Sequence, residues 1–103
     1  AYERERRRRQ AGVVAELLAE VRDIRRVGSC ALDLCMVAAG QLDAYFESGV
    51  HVWDWAAAAL IAQEAGALVR LPVPGDDADD LVIAAAPGVF VALTGQLERV
   101  GYR

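Results

Sequence analysis

The sequence predicts an α/β fold in which a mostly parallel sheet is covered by helices. Along the 103 residues, segments with helical periodicity alternate with short apolar segments that suit strands. Apolar residues make up 55% of the chain and charged residues 25%, the balance of a globular protein rather than a disordered one. A chain of this length is expected to form one domain with a modest core.

The charge is unevenly distributed along the chain. All 11 basic residues are arginines. Residues 1–26 hold eight of them against five acids, a net charge of +3, whereas residues 27–103 carry −7. An acidic main body argues against a nucleic-acid partner. No apolar run reaches the length of a membrane span and no signal peptide is visible, so no membrane partner is expected either.

Residues 3–26 have the pattern of an amphipathic helix. The run Arg6–Arg9 near its start leaves two interpretations open. It could bind phosphate or nucleic acid, or it could be a solvated helix face with Glu3 and Glu5 as partial partners. The acidic remainder of the chain favours the solvated face.

Residues 24–27 suit a short strand, and a helix is predicted over 30–39, closed by Gly40. Gly28, Ser29 and Cys30 form the strand-to-helix turn, where free N–H groups can bind an anion or a hydroxyl. Most turns of this kind only connect two elements, so the signal is weak when taken alone. Ser29 lacks the flanking glycines of a nucleophile elbow, so a catalytic serine is not expected.

Cys30 and Cys35 lie five residues apart in the helix predicted over residues 30–39. This is a poor geometry for a disulfide bond. Two free thiols favour a reducing, cytoplasmic location.

Residues 42–46 have the alternating residue pattern of a strand, and Glu47 ends that predicted strand. The stretch 52–66, VWDWAAAALIAQEAG, then predicts a helix over 56–65. Asp54 fits the N-cap of that helix or the residue beside it, and Gly66 fits the left-handed position after its end. The consecutive alanines of its first turn leave room for a neighbouring element or a ligand. Taken alone, Asp54 is best interpreted as a helix cap.

Residues 67–71 and 81–86 predict two more strands, and Pro87 suits the first position of a final helix. Between the strands, residues 72–80 hold four aspartates but lack the ligand pattern of a calcium loop, so a solvated loop is expected. The single histidine, His51, is likewise interpreted as a polar loop residue rather than a zinc ligand.

Ligand sites in α/β sheets lie outside the carboxyl ends of the strands. In this sequence those ends carry Gly28–Ser29 and Glu47, and the helix that starts near Asp54 follows shortly after. The three polar features are therefore expected to converge on one crevice.

Three ordered blocks of the chain resemble the inositol monophosphatase family. They are Trp53–Ala62 followed by Gly66 and Ala67, which looks like the family's carboxy-terminal signature, and before it Arg26–Cys35 and Ala39–Glu47. The resemblance covers residues 22–71 most closely and is nearest to the bacterial inositol-1-monophosphatases. It implies the carboxy-terminal domain of the family's layered αβαβα fold.

The resemblance also implies a site. The residue matching Asp54 binds a catalytic Mg²⁺, and the residue matching Glu47 bonds an inositol hydroxyl. Gly28, Ser29 and Cys30 match the turn that lines the same substrate site, with Cys30 standing where the family usually has alanine. The implied reaction is hydrolysis of a phosphate monoester, inositol-1-phosphate to inositol and phosphate, by a metal-activated water.

The family's Asp-Pro-x-Asp-Gly-Thr motif, which carries further metal ligands, has no counterpart here. We therefore expect residues 1–103 to be a carboxy-terminal domain that is inactive alone, since one aspartate cannot assemble a site of two or three metals. Its expected partner is the missing amino-terminal half, whose absence leaves an apolar surface bare. The resemblance further implies a homodimer.

Two alternatives remain open. A phosphatase of the same family could act on fructose-1,6-bisphosphate, adenosine bisphosphate or histidinol phosphate, although Glu47 favours a polyol because a carboxylate accepts hydroxyl donors. A non-catalytic module could instead bind phosphate-rich partners through the arginine run. Its binding would weaken steeply with salt and survive Asp54→Asn.

Overall fold

A computed structural model describes residues 2–21, 23–24, 27–73 and 81–99. Helices and strands alternate as predicted through most of the chain. The elements are α1 (Tyr2–Leu18), α2 (Cys30–Ala38), β1 (Ala44–Glu47), α3 (Val52–Glu64), β2 (Leu68–Arg70), β3 (Val82–Ala85) and α4 (Pro87–Arg99). Gly40 and Gly66 follow the C-caps of α2 and α3 with φ of 76° and 98°, so both predicted helix ends are confirmed.

The three strands form a sheet of order β1-β3-β2, in which both outer strands run antiparallel to β3. The prediction of a mostly parallel sheet is therefore wrong for the described strands. β1 and β2 are parallel to each other, with α3 in the connection between them, as the alternation of elements predicts. β3 lies between them, however, and residues 71–81 are too few for the crossover of a dozen or more residues that a parallel β2–β3 pair needs.

The central strand β3 separates two hydrophobic clusters. Its four residues are all buried, and they alternate between the two faces of the sheet. On one face, Val82 and Ala84 pack with residues of α2 and α3, namely Cys30, Leu34, Val37, Ala58 and Ala59. On the other, Ile83 packs with Leu81 and with residues of α1 and α4, namely Val13, Leu17, Leu93 and Leu97. The fold therefore has three layers: α2 with α3, the sheet, and α1 with α4.

The alanines of α3 allow α2 to approach closely. Ala58, Ala59 and Ala62 are almost fully buried, while Ala56 and Ala57 on the other side of the helix are exposed. A methyl side chain adds little thickness between two helix backbones, so both helices reach the same face of the sheet. This confirms the expected close packing against the alanine segment.

Several predicted boundaries shift. α1 ends at Leu18 rather than at residue 26, and the apolar residues that would extend its pattern, Leu18, Val21 and Ile24, are exposed rather than packed. The strand predicted over residues 24–27 falls partly outside the described residues, and Ile24 and Val27 at its ends are not in a strand.

Most of the acidic loop predicted over residues 72–80, including its four aspartates, also lies outside the described residues. Within the part of the chain that is described, no helix combines the length and the apolar character needed to cross a bilayer.

Candidate functional site

One edge of the sheet gathers most of the residues that the sequence singled out. Glu47 is the last residue of β1, and Cys30 is the first residue of α2. Tyr45 of β1 and Trp55 of α3, which are close in sequence to Glu47 and Asp54, both pack against the cluster that contains Cys30. The carboxyl end of β1 and the first turns of α2 and α3 therefore meet at this edge, and Gly28 and Ser29 directly precede it.

Asp54 lies in the first turn of α3, at its third residue, rather than at or beside the N-cap as predicted. The N-cap is His51, whose backbone N–H donates to Asp54 Oδ2 at 2.8 Å. The backbone N–H of Asp54 in turn donates to the carbonyl oxygen of His51 at 2.8 Å. Because this pair of bonds closes the turn, Val52 and Trp53 join the helix, which begins four residues before the predicted start.

The carboxylate of Asp54 is half-buried and sits where the positive end of the helix dipole favours negative charge. Its second oxygen, Oδ1, forms no hydrogen bond to the residues that the structure describes. Asp54 therefore serves as a helix-capping residue and also keeps one oxygen available to a ligand.

Ser29 is the N-cap of α2, and its Oγ accepts a hydrogen bond from the backbone N–H of Leu32 at 3.3 Å. Gly28 has φ of 88°, a left-handed conformation that glycine adopts without a steric penalty. The hydroxyl of Ser29 thus stabilises the helix start.

Tyr45 is a residue of this edge that the sequence analysis treated only as part of a strand. Its hydroxyl donates to Glu47 Oε1 at 2.5 Å, and its side chain packs against the cluster that contains Cys30. Burial raises the pKa of Cys30; interaction with Tyr45 lowers it by a smaller amount, and nearby carboxylates including the buried Asp33 raise it further. Burial, followed by the interactions of its hydroxyl with Cys30 and Glu47, raises the pKa of Tyr45. The available signal was the strand period of two, which puts Tyr45 and Glu47 on one face.

His51 is exposed and stacks on Trp53, with ring centroids 4.5 Å apart and an interplanar angle of 21°. Within the described ranges, no three His, Cys, Asp or Glu side chains come together closely enough to hold a metal ion. Cys30 and Cys35 are both free thiols. The described residues of this edge therefore offer a cation single side-chain ligands rather than a complete coordination set.

The arginine run is only partly a solvated face. Arg8 pairs with Glu5 at 3.2 Å on the exposed surface, so Glu5 is a partner as expected. Arg6 instead donates to Ser48 Oγ at 3.3 Å, and Gln10 donates to the same oxygen at 3.2 Å. Ser48 directly follows Glu47, so α1 holds the connection between β1 and α3.

The three-layer architecture, with two carboxylates and two helix starts at one sheet edge, is typical of α/β proteins that bind small ligands beside strand ends. The sequence model described as the inositol monophosphatase family matches residues 1–101, and the chain belongs to that family.

Relatives of known sequence and structure agree with this assignment. An inositol-1-monophosphatase of Mycobacterium leprae is 58% identical over 101 residues, which cover 96% of this chain and 35% of the relative. The solved structure of Mycobacterium tuberculosis SuhB is similar with a TM-score of 0.83 and 56% identity, over 92% of this chain and 37% of that chain. A Pasteurella multocida protein named Nus factor SuhB is 55% identical over 60 residues, or 58% of this chain and 22% of the relative. The chain thus spans about a third of the length of the first two relatives.

Proposed function

We propose that residues 1–103 form the carboxy-terminal domain of a magnesium-dependent phosphatase that hydrolyses inositol-1-phosphate to inositol and inorganic phosphate. Membership of the inositol monophosphatase family supports the class of reaction. The observation that carries the proposal is that the end of β1, with Glu47, and the start of α3, with Asp54, pack against the same cluster, which combines an acceptor for a polyol hydroxyl with a carboxylate at a helix start.

The donor chemistry of this edge fits one ligand of a magnesium site. Mg²⁺ prefers oxygen ligands and keeps several waters, and Asp54 Oδ1 is an oxygen that the described residues leave without a hydrogen bond. The remaining carboxylates would come from the rest of the complete protein. When bound, the ion neutralises charge on the phosphate oxygens and makes a water more acidic.

The residues of this chain would bind and orient the substrate. Glu47 accepts a hydrogen bond from a hydroxyl of the polyol, because a carboxylate is an acceptor with several lone pairs. The free N–H groups at the start of α2, following Gly28 and Ser29, contribute donors beside it, and Cys30 lines the same turn. In the reaction, water attacks phosphorus and the bond to the inositol oxygen breaks. That oxygen takes up a proton as inorganic phosphate leaves.

An exposed apolar surface supports a second part of the proposal, namely that residues 1–103 are inactive on their own. Trp53 is 77% exposed in the first turn of α3, and Leu32, Leu60 and Ile61 on α2 and α3 are exposed to at least half. We propose that the amino-terminal half of the complete protein, or the second subunit of a homodimer, covers this surface. The complete enzyme would act in the cytoplasm.

The test is steady-state kinetics of the complete protein that contains this chain, on inositol-1-phosphate, fructose-1,6-bisphosphate, adenosine bisphosphate and histidinol phosphate. We expect magnesium-dependent turnover with the highest kcat/KM on inositol-1-phosphate, and a higher KM for that ester in Glu47→Gln. A preference for another ester would support the proposed phosphatase activity but would mean that inositol-1-phosphate is not the preferred substrate. Absence of turnover on all four would contradict the proposal.

A binding module that uses the arginine run makes a different prediction. Its affinity for a polyphosphate would fall steeply with salt and would be unchanged by Asp54→Asn. Assaying residues 1–103 alone completes the test, because magnesium-dependent turnover by this chain would contradict the proposed need for the other half.

A further inference from the structure

The carboxylate of Glu47 is held from one side only. Tyr45 and Glu47 are two residues apart in β1 and therefore project from the same face of the sheet. The Tyr45 hydroxyl donates to Glu47 Oε1 at 2.5 Å, whereas Oε2 forms no hydrogen bond to the described residues. One oxygen is thus fixed and the other is available.

The proton of the Tyr45 hydroxyl is committed to Glu47, and a tyrosine hydroxyl has only one proton to donate. The hydrogen bond between the two side chains therefore runs in one direction, from Tyr45 to Glu47.

We propose that Tyr45 is a positioning residue for the substrate contact of Glu47, holding one carboxylate oxygen so that the other accepts a hydroxyl of the polyol. This inference rests on the proposed role of Glu47 and adds to it a residue outside the implied substrate contacts. A glutamate side chain loses considerable rotamer freedom when it is held in one geometry. Because Tyr45 fixes the carboxylate before the substrate arrives, this rotamer freedom is already lost in the free enzyme and its loss does not weaken substrate binding.

The experiment compares Tyr45→Phe with the unchanged complete protein on two substrates, inositol-1-phosphate and p-nitrophenyl phosphate. Phenylalanine keeps the ring in the core and removes only the hydroxyl. We expect the KM for inositol-1-phosphate to rise about fivefold, the size of one net hydrogen bond, with kcat nearly unchanged. The KM for p-nitrophenyl phosphate should stay constant, because that ester has no polyol hydroxyl for Glu47 to bind.

A purely structural role of Tyr45 would alter both substrates to the same degree, and that result would overturn the inference. An unchanged KM for inositol-1-phosphate would overturn it too. Thr94→Val is the matched control: it also removes a hydroxyl that donates within the protein, to carbonyl oxygens of α4 in the layer on the opposite face of the sheet. It should leave both KM values unchanged.

The double variant Tyr45→Phe/Glu47→Gln separates this inference from the proposed function. If Tyr45 acts through Glu47, the double variant has the KM of Glu47→Gln alone, because the two effects are not additive. Additive effects would overturn the positioning role while leaving Glu47 as a substrate contact. If Glu47→Gln itself leaves the KM for inositol-1-phosphate unchanged, the proposed hydroxyl contact fails instead.

Discussion

His51 and Asp54 are joined by two hydrogen bonds of 2.8 Å that run in opposite directions, one from backbone to side chain and one from backbone to backbone. The pair closes the first turn of α3 and fixes the carboxylate relative to the helix axis. Asp54 is therefore held in place by the fold itself, and its open oxygen has a defined position before any ligand binds.

Replacing Asp54 with asparagine should separate the capping role from the proposed metal role. The asparagine side-chain oxygen still accepts from the His51 N–H, so the thermal midpoint should change little. The negative charge is lost, so we expect Mg²⁺ affinity and kcat/KM of the complete enzyme to fall by at least about a hundredfold, because changes even to groups that support metal ligands cost 10–100-fold. Magnesium titration of the initial rate measures both quantities.

Glu64→Gln is the control for this prediction. It removes one exposed carboxylate from the opposite end of the same helix. Its magnesium dependence should match that of the unchanged enzyme. If Asp54→Asn behaves in the same way as Glu64→Gln, Asp54 is not a metal ligand.

Ala59→Leu should destabilise the α2–α3 layer. Ala59 is 2% exposed in the cluster that includes Leu34 and Val82, so three additional carbons have no space to occupy. We expect the free energy of unfolding to fall by about 1–3 kcal/mol, as for other overpacked cores. Thermal or urea unfolding of the complete protein measures this loss. Ala57→Leu, at an exposed position of the same helix, should cost far less, and equal losses would contradict the packing described here.

Arg6→Ala should loosen the connection between β1 and α3. Arg6 and Gln10 both donate to Ser48 Oγ, and Ser48 lies beside Glu47. Loss of the Arg6 bond should cost about 1 kcal/mol and speed amide hydrogen exchange at residues 48–50. Arg7→Ala removes a neighbouring but exposed arginine and should leave that exchange unchanged. Unchanged exchange in Arg6→Ala would show that α1 does not hold this loop.

The buried thiol of Cys30 should make stability decrease in alkaline solution. Burial raises its pKa above the ordinary value of a thiol in the folded state, so the folded protein retains a proton that the unfolded chain releases. The stabilisation is complete below the pKa of the unfolded thiol and is lost as the pH rises through the folded-state pKa. The maximum slope for one group is about 1.4 kcal/mol per pH unit.

Comparison with Cys30→Ser isolates this contribution, because serine does not titrate in this range. We expect the free energy of unfolding to fall less steeply between pH 8 and pH 10 in Cys30→Ser than in the unchanged protein, as measured by urea unfolding. Parallel curves for the two proteins would contradict the raised pKa. Cys35 is present in both and does not affect the difference.

The helices and their glycine ends were predictable because the forces that set them act over a few residues. Gly40 and Gly66 end helices through their own backbone conformation, and Pro87 starts one for the same kind of reason. The close packing at Ala58 and Ala59 also followed from residue size alone. Even the family blocks are short segments whose residue types are recognisable without a fold.

Three features depended on the tertiary structure: the direction of β3, the extent of α1 and the contacts of individual side chains. Strand pairing joins residues that are distant in sequence, such as Glu47 with Val82, and no local pattern states which partner a strand finds. For the same reason, Arg6 looked solvated until α1 packed beside Ser48, and Tyr45 looked like an ordinary strand residue until the cluster that contains Cys30 of α2 packed against it. Sequence by itself determined the local elements and the family, whereas non-local packing decided how the candidate site is held together.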